Sequence, residues 1–202
     1  MKILDIILLN ESFYKKLSDK KQTLNIGIIL IGIINMSIPI IENFNRLFIN
    51  KDSAIFFYNI TLSILYMLLA GFVYALFFSF PLFDLFKHFK RERNLELSGF
   101  LTRLMKIYIV ANFLILPASI IMYIATNKIN YQANSAFDYI STLLVFLIMV
   151  WFAAVVSRGL NAICGFHPGF RKIIFVVIFV WNYVLEIVLG YIIVNWAMHV
   201  FR

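Results

Sequence analysis

The sequence predicts an all-α polytopic membrane protein: a bundle of five transmembrane helices with amphipathic helices at the interface. Apolar residues make up 62% of the 202 residues and aromatics 17%, leaving too little polar surface to cover a water-soluble globule of this length. Five apolar runs, none broken by a Lys or Arg, alternate with short segments that hold nearly all the charge. Each run is long enough to cross a hydrocarbon core about 30 Å thick, which takes about 20 helical residues with every backbone group paired inside the segment.

Residues 1–23 read as a cytoplasmic amphipathic lead-in. Ile3, Ile6, Ile7, Phe13, Tyr14 and Leu17 fall near one helical face, while Lys15, Lys16, Lys20 and Lys21 gather toward the other face or the end. This pattern suits a helix lying in the plane of the membrane. The apolar stretch before Asn10 is short and contains Asp5, and no small-residue cleavage site follows it, so the first span is expected to anchor the chain. Residues 24–202 then form the transmembrane domain, with spans at about 24–41, 54–80, 107–125, 139–156 and 173–201. The first and fourth are near the minimum length, whereas the second and fifth are long enough to tilt.

Between the second and third spans, residues 81–106 alternate Leu82, Phe83, Leu85, Phe86 and Phe89 with Asp84, Lys87, His88 and Lys90. A second apolar stripe follows at Leu95, Leu97, Phe100, Leu101 and Leu104. Two short interfacial helices broken near Arg93 and Asn94 are the expectation. Before the last span, Gly159, Gly165, Pro168 and Gly169 punctuate a tight turn.

Lys and Arg are distributed asymmetrically. Lys2, Lys15, Lys16, Lys20, Lys21, Lys87, Lys90, Arg91, Arg93, Arg103, Lys106, Arg158, Arg171 and Lys172 fall on one side; Arg46, Lys51, Lys128 and Arg202 fall on the other. By the positive-inside rule the N-terminus is cytoplasmic and the C-terminus outside. The net charge of +8 borders apolar spans and has no soluble domain to present it, which argues against nucleic-acid binding and for attraction to anionic lipid headgroups of the bilayer. A protein partner and a second copy of the chain both stay open. The lone Cys164 excludes an internal disulfide and a cysteine-based metal cluster. No cofactor is implied.

Glu186 is the acid well inside a span, where a charge costs about 2.5 kcal/mol at the least. Its carboxyl must be paired, protonated or turned to a wet cavity. Asn182 and Gly190 share its helical face, and one expectation is that Asn182 and Glu186 hydrogen-bond across helices as packing glue. The first span holds Asn35 and Pro39, and the third holds Asn112, Pro117 and Ser119. Each proline removes an amide donor, which frees the carbonyl of Asn35 or Phe113 and favours a kink. Gly71, Ala75 and Ser79 recur every four residues as a smooth strip for close helix packing. Cys164 and His167 share a turn, but no third residue nearby orients them as a nucleophile and base. No acid, base and nucleophile set shares one face, so an enzyme is not the expectation.

Several segments resemble the Yip (Ypt-interacting protein) domain family. These are the lead-in Glu11-Ser12-Phe13-Tyr14-Lys15-Lys16-Leu17, the basic linker ahead of Asn112 and Pro117, and the glycine-punctuated turn over residues 158–172. The five-span layout with a cytoplasmic N-terminus is similar too. The Asp-Leu-Tyr-Gly-Pro type signature of eukaryotic members is absent, so nothing about their Rab GTPase partners carries over. The resemblance implies a small membrane protein without catalytic residues, acting as a membrane-organising or partner-binding scaffold. The alternative is a transporter or channel component with a midplane polar site formed by Glu186, Asn182, Asn112 and Asn35. A bias toward Ile, Asn, Lys and Phe points to a bacterial plasma membrane.

Overall fold

The computed structural model describes residues 8–18, 20–87, 97–129, 135–195 and 200. They form α1 (Glu11–Lys15), α2 (Lys21–Glu42), α3 (Phe44–Phe48), α4 (Ser53–Phe86), α5 (Leu97–Ile129), α6 (Ser135–Cys164) and α7 (Pro168–Asn195), with no strand among the described residues. The five helices α2, α4, α5, α6 and α7 are long and apolar enough to cross a membrane. Their outward faces carry residues such as Phe57, Ile121, Val176 and Ile187, each more than half exposed. Such a continuous apolar exterior is stable only in lipid. The chain is an integral membrane protein.

The spanning helices contact one another in a closed circuit: α2 against α4, α4 against α7, α7 against α6, α6 against α5, and α5 back against α2. A further contact between α4 and α5 crosses the circuit. At that crossing Phe78 of α4 stacks on Tyr108 of α5 with ring centroids 4.3 Å apart, and Phe152 of α6 meets both edge-on at 5.7 and 5.8 Å. All three rings are buried.

Because lipid gives helices no hydrophobic reason to associate, close approach through small residues has to supply the contact. At the α2–α4 crossing Gly32 faces Gly71. A β-carbon on Gly32 would lie 1.7 Å from the Met67 carbonyl oxygen, and one on Gly71 would lie 2.1 Å from that of Ile28. The Gly71 strip therefore serves an internal contact. Gly32, its counterpart, carried no sequence signal of its own.

Residues 81–87 and 97–106 are not separate interfacial helices. α4 runs through Pro81 to Phe86, and α5 begins at Leu97. Leu82, Phe86, Phe100 and Leu104 are buried inside the bundle, and Phe83 packs on Phe100 at 5.6 Å. Their apolar stripes cover one another rather than lipid headgroups. The expected break near Arg93 and Asn94, together with His88, lies outside the described residues. Pro81 cannot donate to the carbonyl of Phe77 one turn earlier, and the indole Nε1 of Trp181 on α7 donates to it instead at 3.2 Å.

The lead-in also differs from the in-plane helix. Its described helix is five residues long, and Tyr14 is fully buried against α6 rather than laid on the bilayer. Gly159 makes room for it, since a β-carbon there would come within 2.8 Å of the Tyr14 ring. The Tyr14 hydroxyl donates to the Leu8 carbonyl at 2.8 Å. Ile3, Ile6 and Ile7 lie outside the described residues. Lys106 of α5 is buried and donates its Nζ to the carbonyls of Ser18 at 2.6 Å and Lys20 at 2.8 Å, which ties the lead-in to the bundle just before α2. Its role is structural.

Candidate functional site

The polar residues within the spans are positioned by helix geometry. Asn182 and Glu186 are four apart on α7 and so project from one face. Asn35 lies one turn before Pro39 on α2, and Asn112 lies one turn after the buried Tyr108 on α5. The circuit of helices brings these faces together. A cavity of about 720 Å³ opens between α2, α5, α6 and α7, lined by Asn35, Asn112, Asn182 and Glu186 along with Ser37, Ser119 and a majority of apolar side chains. α6 contributes only apolar groups, Val145, Ile148, Met149 and Phe152. Phe152 joins the cavity wall to the aromatic crossing beneath it.

The side-chain donors of Asn35, Asn112, Ser37 and Ser119 are turned back on their own helices. Asn35 Nδ2 donates to the Ile31 carbonyl at 2.9 Å, and Asn112 Nδ2 to the Tyr108 carbonyl at 2.9 Å. The hydroxyls of Ser37 and Ser119 likewise donate to the carbonyls of Ile34 and Ile115, at 2.9 and 3.3 Å. A carbonyl can only accept, so the amide nitrogens and hydroxyl protons are fixed as the donors. The amide oxygens of Asn35 and Asn112 are thereby left for the cavity. Asn182 is buried, and its Oδ1 has no hydrogen-bond partner. Glu186 is half-buried and forms no hydrogen bond or ion pair with a described residue. Among the described residues neither Asn182 nor Glu186 forms the side-chain hydrogen bond to a neighbouring helix that the packing expectation required. A wall that holds one carboxyl together with the amide oxygens of Asn35 and Asn112 suits a ligand that carries donors or positive charge.

Two further residues belong to this neighbourhood. Tyr74 of α4 and Tyr108 of α5 lie within electrostatic reach of Glu186. The Tyr108 hydroxyl is buried beside the Asn112 side chain. Tyr74 stands inside its apolar run and Tyr108 at the start of its own, and neither is singled out by the sequence.

Other singled-out positions lie elsewhere. A β-carbon on Gly190 would meet nothing within 4 Å, and Gly190 is not part of the cavity wall. Gly71, Ala75 and Ser79 are buried in α4. Cys164 is buried at the end of α6, while the exposed His167 uses Nδ1 to accept from the Gly169 amide at 3.3 Å, capping the start of α7. That contact gives His167 a local structural task. Gly165, at φ +60°, closes α6 by donating its amide to the Asn161 carbonyl at 3.0 Å. His199 lies outside the described residues. No group of three or more His, Cys, Asp or Glu side chains comes together among the described residues. No protein-family model, curated protein or solved structure matches the chain.

Proposed function

We propose that this integral membrane protein is a non-enzymatic transporter or channel component that binds a small, donor-bearing solute in the intramembrane cavity, with an ammonium-type cation as the favoured chemistry. The observation that carries this reading is the convergence of Asn35, Asn112, Asn182 and Glu186, from three different helices, on one cavity. Packing polar groups there has a cost that apolar residues would avoid. Their acceptor character supports a cation: Glu186 supplies the counter-charge, and the asparagine oxygens replace part of the hydration shell. Polar residues near the midplane beside proline-containing spans, here α2 with Pro39 and α5 with Pro117, are a feature of transporter substrate sites.

Uptake of methylammonium into liposomes containing the full chain tests it, with Glu186→Gln compared against wild type. Flux in wild type and its loss in Glu186→Gln, at unchanged thermal stability in detergent, is the expected result. Absence of flux in wild type, with Glu186→Gln affecting only stability, would return the protein to the scaffold reading. Placement in the Yip family, suggested by the five-span layout and the local segments, is a proposal on those features alone.

A further inference from the structure

A second cavity, of about 450 Å³, lies where α1 meets α6 and α7 and shares no residue with the intramembrane cavity. Its wall brings together Arg158 of α6 with Arg171 and Lys172 of α7, and Glu11 is the single acid that lines it. Three cations against one acid leave an excess of positive charge. Arg171 and Lys172 sit within five residues of the start of α7, where the helix macrodipole already presents positive charge and disfavours cations. No carboxylate of a described residue pairs with either. Both side chains are exposed, and an anion seated between them and the helix start would be held by charge-assisted hydrogen bonds as well as by the dipole.

Two more features define the ligand. Asn161 lines this cavity; its Nδ2 donates to the Ser157 hydroxyl at 3.4 Å and its Oδ1 has no hydrogen-bond partner, so the wall holds an unmatched acceptor as well as cations and suits an anion that also carries a hydroxyl. Phe175 and its neighbours continue the wall along the apolar flank of α7. A ligand with an anionic, hydroxyl-bearing head and a hydrocarbon tail matches this sequence of surfaces. We propose that the pocket between α6 and α7 is a specific binding site for a glycerophospholipid with an anionic, hydroxyl-bearing headgroup of the phosphatidylglycerol type. Arg158, Arg171 and Lys172 would hold the phosphate and Asn161 the hydroxyl. The proposal is independent of what the intramembrane cavity carries.

The test reconstitutes the full chain in phosphatidylcholine nanodiscs containing a minor fraction of phosphatidylglycerol and measures, by mass spectrometry, the lipid kept through detergent extraction. Wild type should enrich phosphatidylglycerol, and the double variant Arg171→Gln with Lys172→Gln should lose about tenfold of that enrichment. Lys15→Gln with Lys16→Gln removes the same charge from exposed residues of the same side outside the pocket and should retain it. Equal loss in both double variants would reduce the effect to diffuse surface attraction and overturn the site. So would absence of enrichment in wild type, or full displacement of the lipid by glycerol phosphate, which would make a free phosphate compound the ligand. A readout that needs no variant is photo-crosslinking of wild type with a diazirine phosphatidylglycerol. Adducts on the peptide containing Phe175 support the site, and adducts spread evenly over the spans overturn it.

Discussion

Asparagine, serine and glutamate stand out inside apolar runs because each is costly there, so Asn35, Asn112, Asn182 and Glu186 were legible as a candidate set before any fold was known. Helical periodicity put Asn182 beside Glu186; only the packing of α2, α5 and α7 could put the other two with them. Glycine is harder to interpret, since its value depends on what lies opposite. Gly190 shares the face of Glu186 in sequence yet faces open space, whereas Gly32 is closed in by the backbone of α4. The two should respond oppositely to the same change. Gly32→Ala is expected to destabilise by ~3 kcal/mol or more, because backbone on both helices must move. Gly190→Ala should be neutral or stabilise by up to ~1 kcal/mol through helix propensity. Thermal unfolding of the purified variants in one detergent checks both, and similar midpoints would contradict the α2–α4 contact.

Individual helices are held by partners that replace what their own sequence removes. Pro81 deprives the Phe77 carbonyl of its donor, and Trp181 supplies one from α7. Trp181→Phe should therefore cost about 1–3 kcal/mol, the penalty for an orphaned carbonyl where water is scarce. In a Pro81→Ala background the backbone regains its donor and the same change should cost less. A double-mutant cycle with no coupling would show the two residues to be unrelated. The lead-in depends on a similar replacement by Lys106, whose ammonium binds the Ser18 and Lys20 carbonyls. Lys106→Met should speed tryptic cleavage at Lys15 and Lys16, and unchanged cleavage would remove the lysine from that role. Burial pushes the Tyr14 phenol from 10.0 up to about 12, against the lowering pull of the Arg158 cation. The folded state thus keeps a proton that the unfolded state gives up. The Tyr14 contribution is complete below pH 10 and declines as pH climbs through about 12. Cleavage of the lead-in should accelerate across that window and not between neutrality and pH 9. None of these arrangements was legible in the sequence. The acceptor for Lys106 lies 88 residues away, and a lysine at a span end is read first as a topology signal.

Across the whole molecule, span number and helix order follow from hydropathy alone, whereas the closed circuit and its two cavities require knowing which faces meet. The interfacial helices expected around residues 81–106 show the limit: an apolar stripe beside charge looks the same whether it covers lipid or a neighbouring helix, and here α4 and α5 cover each other. Orientation sets what the cavities can reach. The intramembrane cavity is lined by the later halves of α2 and α5, and the basic pocket by the end of α6 and the start of α7. With the N-terminus cytoplasmic, as charge asymmetry predicts, the first cavity lies toward the outer leaflet and the basic pocket meets the inner one. Cys164 is buried, so replacing it by Ala gives a background free of thiols. Lys16→Cys and Asp52→Cys, both at exposed positions, can then be labelled with a membrane-impermeant maleimide. Asp52→Cys should react in intact cells, and Lys16→Cys only after permeabilisation. The reverse pattern would invert the protein, turn the basic pocket to the outer leaflet, and expose the Glu186 cavity to solutes from the cytoplasm. Equal labelling of both would mean two orientations coexist, which the charge difference between the two sides argues against.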